Sequence, residues 1–213
     1  MPFQDRRDAG NKLAEKLKRY EGKPNVIVVA LPRGGVVLGR IVADALRVPL
    51  DIVVPRKIGY PGNEEYAIGA LTETEDIIWN EEERSRADVA AIEKIVEREK
   101  NEAKRRLATY RAGMSGRNFY GKTIIIVDDG IATGLTMFAA IKSVRTLGAA
   151  HIIVAIPGGP ADTVEKLKKE KDIDDVLVLE IPPLFFAVGG LYQEFGQVED
   201  EEVIKLMQRS NGL

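Results

Sequence analysis

Ile124-Ile125-Ile126-Val127-Asp128-Asp129-Gly130-Ile131-Ala132-Thr133-Gly134-Leu135-Thr136 is the stretch from which the architecture can be read. Its apolar, β-branched opening reads as a strand buried on both faces. Two adjacent carboxylates stand at the carboxyl end of that strand. A loop of small residues follows, and Met137-Phe138-Ala139-Ala140-Ile141 reads as a helix. In an open parallel sheet, ligands bind outside the carboxyl ends of the strands. A small-residue loop opening a helix offers unbonded N–H groups and a positive dipole end, which suit a phosphate. Carboxylates beside such a cradle suit sugar hydroxyls or a phosphate-bound metal ion. Together these features point to a phosphorylated sugar.

An earlier segment repeats the pattern. Val26-Ile27-Val28-Val29-Ala30 is a continuous apolar run, Leu31-Pro32-Arg33-Gly34-Gly35 follows, and Val36 to Leu46 has helical spacing. Gly34-Gly35 reads either as a tight turn or as an anion loop, and Arg33 favours the anion loop. Leu50 to Val54 reads as the next strand, running into Pro55-Arg56-Lys57. The Arg56-Lys57 pair lies either on the ligand side of the sheet or in solvent at a strand exit. With His151–Ile156 and Val176–Ile181, the core strands number about five: 26–30, 50–54, 123–127, 151–156 and 176–181. Strands alternating with helices of this length predict an α/β fold with a doubly wound, mostly parallel sheet.

Two segments depart from the alternation. Residues 58–113 form an insertion of the kind that often serves as a lid. Ala67–Leu71 and Ile77–Trp79 read as two short strands, with Trp79 packing the insertion's own small core. Residues 81–112 read as one long helix with a narrow apolar stripe of Ile92, Ile95, Val96, Ala103 and Leu107. The tail 182–213 carries Leu184, Phe185, Phe186, Tyr192 and Phe195 in an irregular, Gly-containing stretch, then a short helix over 200–208. At the other end, residues 5–20 read as an amphipathic helix that Asp5 can cap. The expected organisation is a single domain over 1–213, with lid 58–113 and a C-terminal hood 182–213.

Composition narrows the function classes. A formal net charge of −2 gives no basic field, so nucleic acid is not an expected partner. No cysteine is present, which removes thiol nucleophiles, disulfides and cysteine metal sites and agrees with a reducing cytoplasm. No apolar run has the length of a membrane span, so no membrane partner is expected. The one histidine, His151, falls at the amino end of a strand, away from the ligand side, and reads as structural.

Asp128-Asp129-Gly130-Ile131-Ala132-Thr133-Gly134-Leu135-Thr136 resembles the phosphoribosyl pyrophosphate (PRPP) signature of type I phosphoribosyltransferases. Pro32-Arg33-Gly34-Gly35 resembles that family's pyrophosphate loop, and Arg56-Lys57 its basic pair after the second core strand. The Phe-Gly-Gln-Val-Glu-Asp-Glu-Glu tail from Phe195 adds a likeness to a group of predicted members of unassigned substrate. The resemblance implies transfer of a phosphoribosyl group between PRPP and a nitrogenous, nucleobase-like acceptor, with Mg2+-pyrophosphate leaving. It implies that Asp128 and Asp129 hold the ribose hydroxyls, directly or through Mg2+. Gly130, Ile131, Ala132, Thr133, Gly134, Leu135 and Thr136 would wrap the 5′-phosphate. Arg33, Gly34, Gly35, Arg56 and Lys57 would meet the pyrophosphate, with a cis peptide at Arg33. Phe185, Phe186 and Tyr192 would serve the acceptor in the hood. Ala132 stands where the hypoxanthine–guanine branch has an aspartate, which argues against that branch. Glu64 and Glu65 are candidates for proton transfer or are solvated loop carboxylates. Homodimers are common in the family, and the oligomeric state is not fixed by the sequence. The same fold also serves PRPP-sensing regulators, and a pentose-phosphate hydrolase or phosphorylase is a third reading.

Overall fold

The computed structural model describes residues 2–114 and 118–208. In chain order the first elements are α1 (Arg6–Leu17), β1 (Val26–Ala30), α2 (Gly34–Leu46) and β2 (Leu50–Ile52). An antiparallel hairpin unit follows, β3 (Arg56–Tyr60), β4 (Asn63–Leu71) and β5 (Ile77–Trp79), then α3 (Glu81–Ser85) and α4 (Val89–Tyr110). The second half contains β6 (Thr123–Val127), α5 (Leu135–Thr146), β7 (His151–Gly158), α6 (Ala161–Lys169), β8 (Asp175–Glu180) and α7 (Asp200–Gln208).

Five strands form one parallel sheet in the order β2-β1-β6-β7-β8. Alternate residues feed two cores. Val26, Val28, Ala30, Ile125 and Val127 face α1, α2, α4 and α7. Ile27, Val29, Ile124, Ile126 and Ile152 face α5 and α6. Both faces are covered, which is why β1 and, after its first residue, β6 are apolar at every position. From β1 the chain winds outward through α2 to β2, and from β6 it winds the other way through α5 and α6. The direction reverses between β1 and β6, where Ala30 is registered with Val127. The carboxyl ends of those two strands therefore flank the crevice of the sheet.

The expected elements need four corrections. The second core strand ends at Ile52 and not Val54; the Val54 N–H bonds the Glu73 carboxylate, and Pro55 has no N–H to give the sheet. Arg56 and Lys57 consequently lie inside β3 and not in a loop after β2. The insertion contains three strands, because β3 pairs with β4 as well as β4 with β5. The long helix is two helices, since Asp88 turns out of α3's path and caps α4 by accepting from the Ala91 N–H at 2.7 Å.

The insertion is anchored to the main sheet by a buried ion pair. Arg111, just after α4, donates Nε and Nη2 to the two oxygens of Asp51 on β2 at 2.7 and 3.0 Å. Arg111→Ala leaves a buried carboxylate without this partner, and an expected cost of about 3 kcal/mol follows. Urea denaturation reads it as a lower midpoint with an unchanged slope. A loss under about 0.5 kcal/mol would mean the pair does not anchor the insertion.

Candidate functional site

The loops after β1 and β6 meet at the crevice, and their approach dictates glycine. A Cβ on Gly34 would sit 1.9 Å from Asp129 Oδ2, and one on Gly35 would sit 2.9 Å from Asp128 Oδ1 and from the Val127 carbonyl oxygen. The amino end of α2 thus rests directly on the two carboxylates, with its positive dipole end toward them. The Pro32–Arg33 peptide bond is cis, at the position expected from the resemblance.

Asp128 and Asp129 are held tightly and differently. Asp128 Oδ1 accepts the Asp129 N–H at 2.9 Å. Burial, and then the neighbouring Asp129 charge, push the Asp128 carboxyl well above its usual range. Burial also raises Asp129, with the Arg6 guanidinium pulling the other way. Arg6 Nε meets Asp129 Oδ2 at 2.8 Å. The Tyr192 hydroxyl donates to the Asp129 carbonyl. Two adjacent hard-oxygen donors suit Mg2+, which usually takes one or two carboxylates and completes its shell with phosphate and water. Among the described residues no cluster of three or more acidic, His or Cys side chains forms a cage.

Gly130 to Gly134 forms the turn into α5. Gly134 takes φ +81°, a left-handed conformation that favours glycine, and no side chain caps the helix. Its first N–H groups, at Leu135 and Thr136, have no partner within the helix. The loop is pinned from behind: Thr163 Oγ1 donates to the Ala132 carbonyl at 2.8 Å, and the Ile131 N–H bonds the Gly158 carbonyl. Ala132 and Thr133 stay exposed.

A cavity of about 360 Å³ is lined by Pro32, Arg56, Lys57 and Thr136, together with Glu64, Glu65 and Glu99. The fold therefore brings together the loop after β1, the basic pair on β3 and the first turn of α5. Two of the sequence-predicted cations are not free within it. Arg56 bonds the buried Glu99 of α4 through Nε at 2.8 Å and Nη2 at 2.7 Å. The Arg33 side chain turns to Glu199 and Asp200 at 3.3 and 3.5 Å. Lys57 is exposed and has no carboxylate partner among the described residues. Glu64 is taken by Arg98 at 2.7 Å.

The hood residues separate. Phe186 is 92% exposed, and Phe185 packs partly against the core. Tyr192 is buried, stacked on Phe195 with centroids 5.1 Å apart and tilted against Phe3. It has no open face for a base, which corrects its assignment to acceptor stacking. His151 pairs with Asp174 at the amino end of β7, remote from the crevice.

Sequence reasoning missed Arg6, Glu99 and Tyr110. The Tyr110 hydroxyl donates to Asp200 at 2.7 Å and, mainly through burial, is pushed up to about 12. Arg6 sits in an ordinary Arg-Arg pair at a helix start, and Glu99 in a run of solvated charges. The one usable signal was the tail from Phe195 to Glu202, whose Phe195, Gly196, Glu199 and Asp200 turn out to contact Arg6 and Arg33.

Comparison with known proteins places these observations. The family described as phosphoribosyl transferase domain matches residues 4–192. A Mycobacterium tuberculosis H37Rv protein named "Putative phosphoribosyl transferase Rv0571c" is 39% identical over 211 residues, 98% of this chain and 47% of that protein. The corresponding protein of strain CDC 1551 gives the same values. The chain thus spans about half the length of the curated relatives it matches. The crystal structure of TT1426 from Thermus thermophilus is 38% identical, with a TM-score of 0.79 over 97% of this chain and 98% of that one. No helix of the described residues is long and apolar enough to cross a membrane.

Proposed function

Because the chain belongs to the phosphoribosyl transferase domain family, we propose that it moves a phosphoribosyl group between PRPP and a nitrogenous, nucleobase-like acceptor. The observation that carries this reading is the single cavity joining Pro32, Arg56, Lys57 and Thr136. A ligand with phosphate at one end and pyrophosphate at the other needs those groups at that junction.

The proposed roles follow from charge and reach. The N–H groups of Leu135 and Thr136, with the hydroxyls of Thr133 and Thr136, take the 5′-phosphate. Asp128 and Asp129 accept the ribose hydroxyls. Lys57 and the backbone at Gly34 and Gly35 take the pyrophosphate, and Arg56 joins as its bond to Glu99 yields to the more highly charged ligand. Asp128 and Asp129 would hold Mg2+, which would supply positive charge against that of the departing pyrophosphate. In the transfer, the bond from the anomeric carbon to the pyrophosphate oxygen breaks and a bond to the acceptor nitrogen forms. The electron pair leaves with the pyrophosphate, and the proton lost by the acceptor nitrogen passes to the released pyrophosphate or to water. The carboxylates lie where the sugar carbon becomes positive, so no nucleophilic side chain is needed. Phe186, exposed in the tail, is the remaining aromatic candidate for the acceptor.

Titration calorimetry tests the ligand half of this reading. PRPP should bind with Mg2+ at least ten-fold more tightly than without it, about 1.4 kcal/mol. Absence of binding under both conditions would remove the site assignment. Pyrophosphate release from PRPP across a panel of nucleobases then identifies the acceptor; silence across the panel, with PRPP bound, would favour a PRPP-sensing regulator.

A further inference from the structure

Arg6 lies outside every phosphate- and sugar-binding motif, yet its guanidinium is built into the site. Its side chain is 12% exposed. Nε bonds Asp129 Oδ2 at 2.8 Å, Nη1 bonds the Gly196 carbonyl at 2.6 Å, and the planar group lies 3.8 Å over the Phe195 ring. A Cβ on Gly34 would come within 3.0 Å of Nε, so Arg6 also borders the amino end of α2. Three directions are occupied, which fixes the plane of the guanidinium. Among the described residues it is the one cation bonded to either member of the Asp128–Asp129 pair.

We propose that Arg6 is a positioning residue for sugar recognition: by holding Asp129 Oδ2 it sets the carboxylate plane and presents the other oxygen to the ribose hydroxyls. This rests on the phosphoribosyl reading above. The physical grounds are two. A carboxylate fixed at one oxygen offers the second in one place, whereas a free one rotates. Two adjacent carboxylates also repel each other, and a cation on the outer side of one keeps the pair together. The guanidinium suits this because its fork bonds Asp129 and Gly196 at once while its face stacks on Phe195, which a lysine cannot do. The N-terminal helix and the C-terminal tail thereby act on the carboxylate without touching the ligand.

The test uses three ligands with Mg2+: PRPP, ribose 5-phosphate, which keeps the sugar, and inorganic pyrophosphate, which lacks it. Arg6→Gln should weaken PRPP and ribose 5-phosphate roughly ten-fold or more, the worth of one charge-assisted hydrogen bond, and leave pyrophosphate within two-fold. Arg6→Lys should recover part of the loss. In an Asp129→Asn background the effect of Arg6→Gln should fall below about two-fold, because the two residues act through one contact. Equal weakening of all three ligands, or an undiminished Arg6→Gln effect in Asp129→Asn, would overturn the proposal. If Arg6→Gln does not fold, Arg6→Lys alone decides: loss confined to the two sugar ligands supports the role, and uniform or absent loss overturns it. A wild-type protein that binds neither sugar ligand overturns the phosphoribosyl reading and this role with it. A wild-type protein that binds both, unmoved by Arg6→Gln, overturns this role alone.

Discussion

Replacing Asp128 and Asp129 together with asparagine is expected to reduce Mg2+-PRPP affinity at least a hundred-fold while the fold persists. Each carboxylate is assigned a charge-assisted hydrogen bond to a ribose hydroxyl or a share of the metal, and two such bonds amount to about 3 kcal/mol or more. Calorimetry measures the loss, and affinity within three-fold of wild type would strip the carboxylates of this role. Stability should move the opposite way for Asp128→Asn alone. Burial and the neighbouring charge raise the Asp128 carboxyl in the folded state. A raised group contributes stability below its unfolded value and loses that contribution as pH rises through the folded one. Above the unfolded value, ionising this carboxyl in the folded state is therefore a cost, and asparagine removes it while still accepting the Asp129 N–H. A melting temperature for Asp128→Asn at or above wild type at pH 7, converging or crossing at acid pH, is the expected result.

Gly34→Ala is expected to be nearly as damaging to binding. The added methyl would stand 1.9 Å from Asp129 Oδ2 and 2.6 Å from its Cγ, so the carboxylate, the loop or both must shift. A displacement of about 1 Å at a site of this kind costs on the order of a hundred-fold. The overpacking itself should cost about 1–3 kcal/mol of stability. Gly62→Ala is the control, because Gly62 has φ +85° in the β3–β4 turn but nothing within 4 Å of its would-be Cβ. Its substitution carries backbone strain alone. Binding by Gly34→Ala no weaker than by Gly62→Ala would separate the glycine from the carboxylate geometry.

These two experiments mark what could be read from residues and what could not. The β6 strand and the loop after it were legible because a continuous β-branched run, a carboxylate pair and a Gly-rich turn are contiguous. Each imposes its conformation locally. The same holds for β1 and Pro32-Arg33-Gly34-Gly35, although the reason for both glycines emerged only with Asp128 and Asp129 packed against them. Arg56-Lys57 lines a cavity with Pro32 and Thr136 but lies in β3 and not after β2, because Pro55 marks a break without saying that a new sheet begins after it. The neutralisation of Arg56 by Glu99, and the turning of Arg33 to Glu199 and Asp200, are tertiary choices among many equivalent charges. Nothing in a helix with this many acids distinguishes the one that is buried. Tyr192 was misassigned for the related reason that an aromatic in an irregular tail can face either way until its neighbours are known.

The contacts around Asp129 also bear on how the protein assembles. Arg6 reaches 123 residues along the chain to Asp129 and 190 residues to Gly196, while Tyr192 reaches back 63 residues to the same aspartate. Closing loops of that size precedes any reward from the contacts they allow, so these are among the slow steps of assembly. A nascent chain that has finished β6 and α5 already holds Asp128, Asp129 and the loop after them but not the clamp on the second carboxylate. The clamp on Asp129 is thus a late acquisition in biogenesis, withheld until residues near 196 have emerged and returned to the N-terminal helix.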